Sequence, residues 1–228
     1  DGVVSLLSGD PAEISNELME SDIIKKVSIT GSTRVGKIIL KKAADKVQRV
    51  TMELSGHSPF IVFDDADIDS AVNGSVAGIF AASGQSCVAG SRLYLHEAIA
   101  DRFLEKMTGI ANSIRIGDPQ EDDTQMGPLC TEAQIRHIEA QLARAVVQGG
   151  RIIAGGSRVS DRDGLFFQPT IIECPDPAMD IVDTELFGPV LSVLRFSDED
   201  DVVAQANRSV HGLAAGIFTR DSARSMRM

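Results

Sequence analysis

One cysteine of this sequence lies where a thiol could act as a nucleophile. Residues 80–91 read FAASGQSCVAGS, so Cys87 follows a helix-stopping glycine, Gly84, and has small residues around it. Small neighbours leave room for a carbonyl group to approach the sulfur, and a thiol becomes reactive when nearby N–H groups or bases favour the thiolate. A lone cysteine is more often a packed core residue, so this segment alone supports only a hypothesis.

A single carboxylate lies upstream in a segment that is otherwise mostly apolar. Residues 50–59 read VTMELSGHSP and place Glu53 at the end of a β-rich stretch, just before a turn that contains Gly56. A carboxylate that is buried without a cationic partner holds its proton to higher pH and can act as a base near neutrality. The competing interpretation is a glutamate on the exposed face of a strand.

The hydrophobic pattern predicts the elements that must position these two residues. A strand at 27–30 turns at Gly31 and Ser32 into a helix, and two further strands are expected at 49–54 and 60–63. Asp67 has the type and place of an N-cap, and the helix after it should run until Gly84. Cys87 is therefore expected in the loop before a strand at 92–95.

The second half of the chain continues to alternate helices and strands. Helical spacing is found at 99–114 and at 131–146, and the second helix opens on the capping-box pattern from Thr131 to Gln134. A third helix is expected at 199–206, and strands are expected near 152 and at 170–173, 190–196 and 214–219. This alternation predicts an α/β fold with a largely parallel sheet.

Charge and cysteine usage exclude several classes of function. The net charge is −11, and no Lys/Arg-rich segment interleaves with aromatic residues, so neither nucleic acid nor a membrane surface is an expected partner. No apolar run approaches the roughly 20 residues of a membrane span, and the start does not resemble a signal peptide, so a cytoplasmic location is expected. Three cysteines without a CxxC pair predict neither a disulfide framework nor a metal site.

Five motifs together carry a resemblance to a known family. Residues 29–36 (ITGSTRVG), the Glu53 segment and the Cys87 segment, with Glu53 placed 34 residues before Cys87, resemble three consecutive signatures of the NAD(P)-dependent aldehyde dehydrogenase superfamily. Residues 185–190 (ELFGPV) and 207–216 (NRSVHGLAAG) resemble two more. Each motif is weak alone, but the five follow the family order over essentially the whole chain.

The resemblance implies a fold and a reaction. Residues 1–54 would form the second half of a Rossmann-like cofactor domain, and residues 55–228 a catalytic domain that is incomplete at its C-terminal end. The chain begins at Asp1 without an initiating methionine, and we expect it to be a fragment that is inactive when isolated. In the family, a cysteine matched by Cys87 forms a hemithioacetal and then a thioester, which water activated by the residue matching Glu53 hydrolyses to a carboxylic acid.

The resemblance also implies a cofactor site for NAD, with NADP not excluded. Ser32 matches the residue that meets the pyrophosphate at a helix N-terminus, Glu185 the carboxylate that binds the nicotinamide ribose, and Phe187 the aromatic beside that ribose and ring. Out of context these three would be an N-cap, a surface charge and a core residue, respectively. Other positions that the resemblance assigns to the cofactor are Gly31, Val35, Leu54 and Gln134, the last being explained equally well by its capping box.

The sequence departs from the family pattern on either side of Gly56. Ser55 stands where the family usually has glycine, and it would bring a side chain to a point where backbone passes close to the nicotinamide. His57 stands in place of the usual lysine, a change that we interpret as tolerated rather than functional.

Alternative functions remain on the same fold. A CoA-acylating relative would pass the acyl group to a thiol, although Glu53 at the base position disfavours this. A non-catalytic protein would be expected to lose the nucleophile or the base, and this chain retains both. A third possibility is that the chain acts only as a partner for another subunit. The expected partners are a small aldehyde and, for the parent enzyme, further copies of itself in a homodimer or homotetramer.

Overall fold

The computed structural model describes residues 2–228, which divide into two compact units. The smaller unit ends at Ser55 and the larger unit spans Gly56–Met228. The division falls one residue beyond the boundary placed after Leu54 from the sequence. The assignment of the two units to cofactor binding and to catalysis stays a prediction.

The smaller unit contains two helices and a two-stranded parallel sheet. Its elements in chain order are α1 (Pro11–Glu20), β1 (Lys26–Thr30), α2 (Thr33–Asp45) and β2 (Arg49–Glu53). Both strands alternate between exposed and half-buried positions, with Val27 opposite Val50 and Ile29 opposite Met52. These apolar side chains pack against Met19, Ile39 and Ala43 of the helices, so one face of the sheet carries the core and the other is polar.

The larger unit contains a six-stranded sheet in the order β5-β6-β7-β4-β3-β8. The strands are β3 (Pro59–Val62), β4 (Arg92–His96), β5 (Arg151–Ala154), β6 (Thr170–Glu173), β7 (Val190–Phe196) and β8 (Gly216–Phe218). The helices are α3 (Ile68–Phe80), α4 (Glu97–Ser113), α5 (Glu132–Val147), α6 (Asp180–Asp183), α7 (Glu199–Ala206) and α8 (Ser222–Arg227). Neighbouring strands are parallel except β5 and β6, which confirms the predicted α/β class.

Helices cover both faces of this sheet, which explains why its central strands read as nearly continuous apolar runs. Leu93 of β4 packs in a cluster with residues of α3 and α4, among them Ile79 and Phe103. Tyr94, the next residue, belongs to the opposite cluster, which contains Ile138 of α5. Within residues 2–228, no helix is both long enough and apolar enough to cross a membrane.

The segment before Cys87 differs from the prediction. Helix α3 ends at Phe80 rather than at Gly84, and a single 3-10 turn covers Ala81–Gly84. Ala82, Ser83 and Gly84 have φ angles of 50°, 56° and 69°, so three consecutive residues adopt the left-handed conformation. Alanine and serine rarely adopt it, and for this reason the sequence pattern gave no sign of the turn.

Candidate active site

Cys87 lies in the turn that leads from the left-handed segment into β4, and its side chain is half-buried. The left-handed turn is held by the buried Ser83, whose Oγ donates a hydrogen bond to the carbonyl of Gly127 over 2.8 Å. Within residues 2–228 the backbone N–H of Cys87 donates no hydrogen bond to the protein. A partly accessible thiol beside a free N–H is an arrangement that can bind and stabilise a developing oxyanion.

Two glycines allow the backbone to approach the Cys87 segment closely. A Cβ atom on Gly56 would lie 2.0 Å from the carbonyl oxygen of Cys87, and one on Gly84 would lie 2.1 Å from that of Gly188. Neither position can therefore hold a side chain without a backbone shift. The segments around Gly56, Cys87 and Gly188 thus lie backbone against backbone, which fixes the position of the thiol.

The segment that begins at Glu185 contributes a carboxylate and an aromatic ring. One carboxylate oxygen of Glu185, Oε1, accepts a hydrogen bond from the N–H of Gly56 at 3.1 Å, and Oε2 has no partner within residues 2–228. Phe187 has a φ angle of 50° and is 41% exposed, so it is not the core residue that its type alone would suggest. A bulky residue with positive φ is uncommon and points to a functional constraint.

Only one of the two hydrogen bonds of the predicted capping box is formed at Gln134. Thr131 caps α5 as expected, because its Oγ1 accepts a hydrogen bond from the N–H of Gln134 at 3.2 Å. The reciprocal bond, which the N–H of Thr131 would donate to the Gln134 side chain, is not formed within residues 2–228. The side-chain amide of Gln134 donates instead to the carbonyl of Leu186.

A buried polar cluster lies directly after Gly56 and was missed in the sequence. His57 is 4% exposed and shares a 2.7 Å hydrogen bond between Nδ1 and Ser91 Oγ, and its Nε2 has no well-aligned hydrogen-bond partner within residues 2–228. Arg92, 1% exposed, donates to the carbonyls of His57 (2.8 Å) and Ala206 (3.0 Å) and to the hydroxyl of Tyr94 (3.1 Å). An arginine inside a strand that reads as buried was the signal that could have revealed this cluster.

Burial and charge together keep the His57 imidazole neutral. Desolvation is the larger cause and the neighbouring Arg92 guanidinium the next, and they lower the pKa of His57 to about 3. The backbone carbonyls of Val182 and Ile181 oppose this shift only in part. His57 is thus an uncharged residue next to Gly56, which contacts both Glu185 and Cys87.

The smaller unit brings together the other predicted residues. Ser32 is the N-cap of α2, and its Oγ accepts a hydrogen bond from the N–H of Val35 at 3.3 Å. Gly31 donates to the carbonyl of Glu53 at 3.0 Å. Leu54 packs so tightly on the helix that a Cβ on Gly36 would lie 2.6 Å from its side chain. Gly31, Ser32, Val35, Glu53 and Leu54 therefore belong to one local arrangement.

Two details of this unit modify the expectations from the sequence. Glu53 is exposed, on the polar face of β2 with Arg49 and Thr51, so the burial that was to favour its action as a base is absent. The departure residue Ser55 accepts a hydrogen bond from the N–H of Thr33 through Oγ at 3.3 Å. The N–H of Thr33 is one of the groups at the helix N-terminus where the resemblance places a pyrophosphate, and it is hydrogen-bonded to this hydroxyl instead.

The groups present are of the kind that a nicotinamide dinucleotide requires. Helix α2 offers an N-terminus for phosphate, and its Arg34 N–H has no protein acceptor within residues 2–228. Glu185 offers a free carboxylate oxygen for a ribose hydroxyl, and Phe187 an exposed ring. The described residues contain no group of three or more His, Cys, Asp or Glu side chains that could hold a metal ion.

The three cysteines differ in environment. All are free thiols, with Cys130 exposed, Cys87 half-buried and Cys174 buried. Burial raises the pKa of Cys174 to about 12, which makes this thiol unreactive near neutral pH.

Comparison with known proteins gives a consistent result. The model of the aldehyde dehydrogenase family matches residues 1–228. The NADP-dependent succinate-semialdehyde dehydrogenase of Escherichia coli K12 is 39% identical over 227 residues, which are 100% of this chain and 47% of that protein. A betaine aldehyde dehydrogenase of Brucella anthropi is 42% identical over 231 residues, again 100% of this chain and 47% of the relative.

Solved structures agree with these sequence relatives. The structure of an NADP-dependent enzyme from E. coli superposes with a TM-score of 0.94 at 39% identity and covers 97% of this chain and 46% of its own. The NAD+ complex of an aldehyde dehydrogenase from Bacillus cereus has a TM-score of 0.88 at 36% identity, over 92% of this chain and 42% of its own. The chain therefore spans about half the length of the relatives that it matches.

Proposed function

This chain belongs to the aldehyde dehydrogenase family, and from that premise we propose that it supplies the nucleophile and the general base for the oxidation of an aldehyde to a carboxylic acid with NAD or NADP. The observation that carries the proposal is the environment of Cys87. Its thiol is half-buried, its N–H has no protein acceptor in the part of the chain that the structure describes, and backbone contacts at Gly56 and Gly84 fix its position.

In the first half of the proposed reaction, the Cys87 thiolate adds to the carbonyl carbon of the aldehyde and forms a hemithioacetal. The carbonyl oxygen becomes an oxyanion, which the free N–H of Cys87 stabilises by a hydrogen bond. The same carbon then loses a hydride, and the oxyanion collapses to the carbonyl of a thioester on Cys87. The nicotinamide ring, when bound, supplies the acceptor for this hydride.

In the second half, water attacks the thioester and Glu53 accepts one of its protons. The tetrahedral adduct expels the Cys87 thiolate and leaves a carboxylic acid, which loses its proton to solvent. Glu53 is exposed, a position from which it can return its proton to bulk water. Gly31, Ser32, Val35 and Leu54 would hold the cofactor through the smaller unit, and Glu185 and Phe187 through the larger one. The resemblance adds Gln134 to the residues of the larger unit, where its side chain donates to the carbonyl of Leu186.

A CoA-acylating enzyme is the second candidate, because it would use Cys87 in the same way and pass the thioester to a thiol. The presence of Glu53 favours water as the acceptor. Assay of the product distinguishes the two, since one reaction releases a free acid without CoA and the other requires CoA and forms an acyl-CoA.

The experiment uses the product of the complete open reading frame that encodes this chain. Reduction of NAD and NADP is followed with succinate semialdehyde and betaine aldehyde, which the names of two relatives suggest and which carry opposite charges, and with propanal. Cys87→Ala should abolish turnover, whereas Cys130→Ala should not. Parent-like turnover by Cys87→Ala would refute the assignment of the nucleophile.

Glu53→Gln separates the two half-reactions. A rapid first turnover should remain, because acylation does not need the base. Steady turnover should then fall about 10²–10⁴-fold, the usual effect of removing a general base. An unchanged steady rate would remove Glu53 from the mechanism.

We also propose that the enzyme is cytoplasmic and assembles as a homodimer or homotetramer. Three free cysteines suit a reducing compartment. Fractionation of cells and light scattering of the complete protein test the two statements.

A further inference from the structure

The segment Glu185–Gly188 is fixed at three of its four residues. Glu185 accepts a hydrogen bond from the N–H of Gly56, and the carbonyl of Leu186 accepts one from Gln134. The carbonyl of Gly188 lies against Gly84 so closely that a Cβ there would be 2.1 Å away. Phe187 stands between these fixed points as the one exposed residue of the four.

Phe187 has the left-handed backbone conformation, with φ at 50°. Such a conformation is unfavourable for a bulky residue and persists only where surrounding contacts determine it. The contacts nearest in sequence are those of its neighbours Leu186 and Gly188. The side chain of Leu186 is buried, at 4% exposure, and its carbonyl is the group that Gln134 binds.

Gln134 connects this strained residue to a rigid support. Helix α5 is anchored by Ile135 and Ile138, both fully buried in the core of the larger unit. The N–H of Gln134 is bound by Thr131, so its backbone is fixed at the start of the helix. Its side chain leaves the capping-box geometry and crosses to Leu186.

We propose that Gln134 is a positioning residue that holds the Leu186 carbonyl, keeps Phe187 in its left-handed conformation and so orients the Phe187 ring for a nicotinamide dinucleotide. This inference rests on the proposed function for the identity of the ligand. It differs from the direct contact with the cofactor ribose that the family resemblance assigns to Gln134. The side-chain amide that would make such a contact donates to the carbonyl of Leu186.

The segment that carries Cys87 is bonded to the start of α5 independently of Gln134. An effect on the Phe187 segment can therefore be separated from an effect on Cys87. Gln85, two residues before Cys87, accepts a hydrogen bond from the N–H of Cys130 through Oε1 at 2.9 Å. Loss of the Gln134 contact leaves this link in place. The rate at which Cys87 reacts with iodoacetamide should therefore not depend on Gln134.

The test compares Gln134→Met with Gln141→Met in the product of the complete open reading frame. Methionine keeps the length of the side chain but cannot donate a hydrogen bond. Gln141 is the matched control because it lies on the same helix, two turns further on, and its Oε1 has no hydrogen-bond partner among residues 2–228. The measurements are amide hydrogen exchange of a peptide covering 184–190 without cofactor, the Kd of NAD and NADP by calorimetry, and the Cys87 alkylation rate.

For Gln134→Met we expect exchange in this peptide to be faster by about threefold to tenfold and the dinucleotide Kd to rise by a similar factor, the equivalent of one neutral hydrogen bond. Gln141→Met should change neither value, and Cys87 alkylation should be unchanged in both variants. A weaker Kd with unchanged exchange in the apoprotein would show direct contact and overturn the positioning role. Unchanged values throughout would also overturn it.

Failure of the proposed function has a different signature. If the wild-type protein binds neither NAD nor NADP, the dinucleotide assignment is wrong. The exchange measurement still decides whether Gln134 holds the Phe187 segment, because it needs no cofactor.

Discussion

Protonation of His57 should control how stability depends on pH. The folded protein holds the pKa of His57 at about 3, whereas an exposed histidine has a value of 6.5. Below pH 6.5, His57 therefore becomes protonated in the unfolded chain but stays neutral in the folded chain. The free energy of unfolding must fall as pH decreases from 6.5 toward 3, and the contribution is fully present only above pH 6.5.

The size of the effect follows from the two pKa values. Between pH 6.5 and the pKa of the folded state, each pH unit changes the free energy of unfolding by at most about 1.4 kcal/mol. Lowering the pH from 7 to 5 crosses about one and a half units of this range, from pH 6.5 to pH 5. The expected loss from His57 alone is about 2 kcal/mol. The result at pH 5 is insensitive to the folded value, because pH 5 is well above it.

His57→Asn is the informative variant, since asparagine places a polar atom near the position of Nδ1 beside Ser91 and does not titrate. The variant should be less stable than wild type at pH 7, because it leaves space in a packed site. Its loss of stability between pH 7 and pH 5 should be smaller than that of wild type by about 2 kcal/mol. His137→Asn is the control, because His137 is exposed on α5 and the substitution should leave the pH dependence unchanged.

The assay is urea unfolding followed by circular dichroism, since the chain has one tyrosine and no tryptophan to report by fluorescence. Unfolding free energies at the two pH values are obtained by linear extrapolation. Imidazole chemical shifts provide a direct check, and those of His57 should not titrate above about pH 4 if its pKa is as low as burial makes it. An equal loss of stability in His57→Asn and wild type, or an imidazole that titrates near 6.5, would refute the reasoning.

Two further substitutions test other parts of the structure. Ala82→Gly should raise the free energy of unfolding by about 0.5–1 kcal/mol in the same urea assay, because glycine adopts positive φ without the steric cost that alanine bears. Ala81→Gly is its control and should destabilise, since Ala81 has a φ of −56°. Ser55→Gly should tighten NAD or NADP binding by about threefold to tenfold, measured by calorimetry, because it frees the N–H of Thr33. Weaker binding by Ser55→Gly would instead mean that the hydroxyl donates to the dinucleotide.

Features encoded in a few adjacent residues were predictable. Ser32, Asp67, Thr131 and Asp198 all cap helices as their side-chain chemistry indicates. The strands at 170–173 and 190–196 have the predicted bounds, because buried apolar runs between breakers are local signals. Helix α1 was missed although Asp10 and Pro11 carry an N-cap and first-turn pattern.

The sequence indicated which residues to propose for the site. It indicated less well how exposed these residues are and what surrounds them. The exposure of Glu53 was in fact readable, because Arg49, Thr51 and Glu53 alternate with Val50 and Met52 along one strand. The left-handed turn before Cys87 was not, since neither Ala82 nor Ser83 signals positive φ. The contact of Arg92 with His57 joins residues far apart in sequence, and only the folded chain shows it.

The two departures from the family pattern have separate physical explanations. Ser55 is accommodated within the smaller unit, where its hydroxyl satisfies the N–H of Thr33. His57 is accommodated within the larger unit, beside a buried guanidinium whose hydrogen-bond partners are all neutral and on which the Asp183 carboxylate acts only through space. A lysine side chain in the position of the His57 ring would place a second cation next to Arg92 at low dielectric, a costly arrangement without a carboxylate between them. An imidazole avoids this cost because it can lose its charge, and burial, with the charge of Arg92 as the second cause, lowers the pKa of His57. The histidine is thus suited to its buried surroundings. From the sequence we interpreted it only as a tolerated replacement of lysine, because the contact with Arg92 was not visible there.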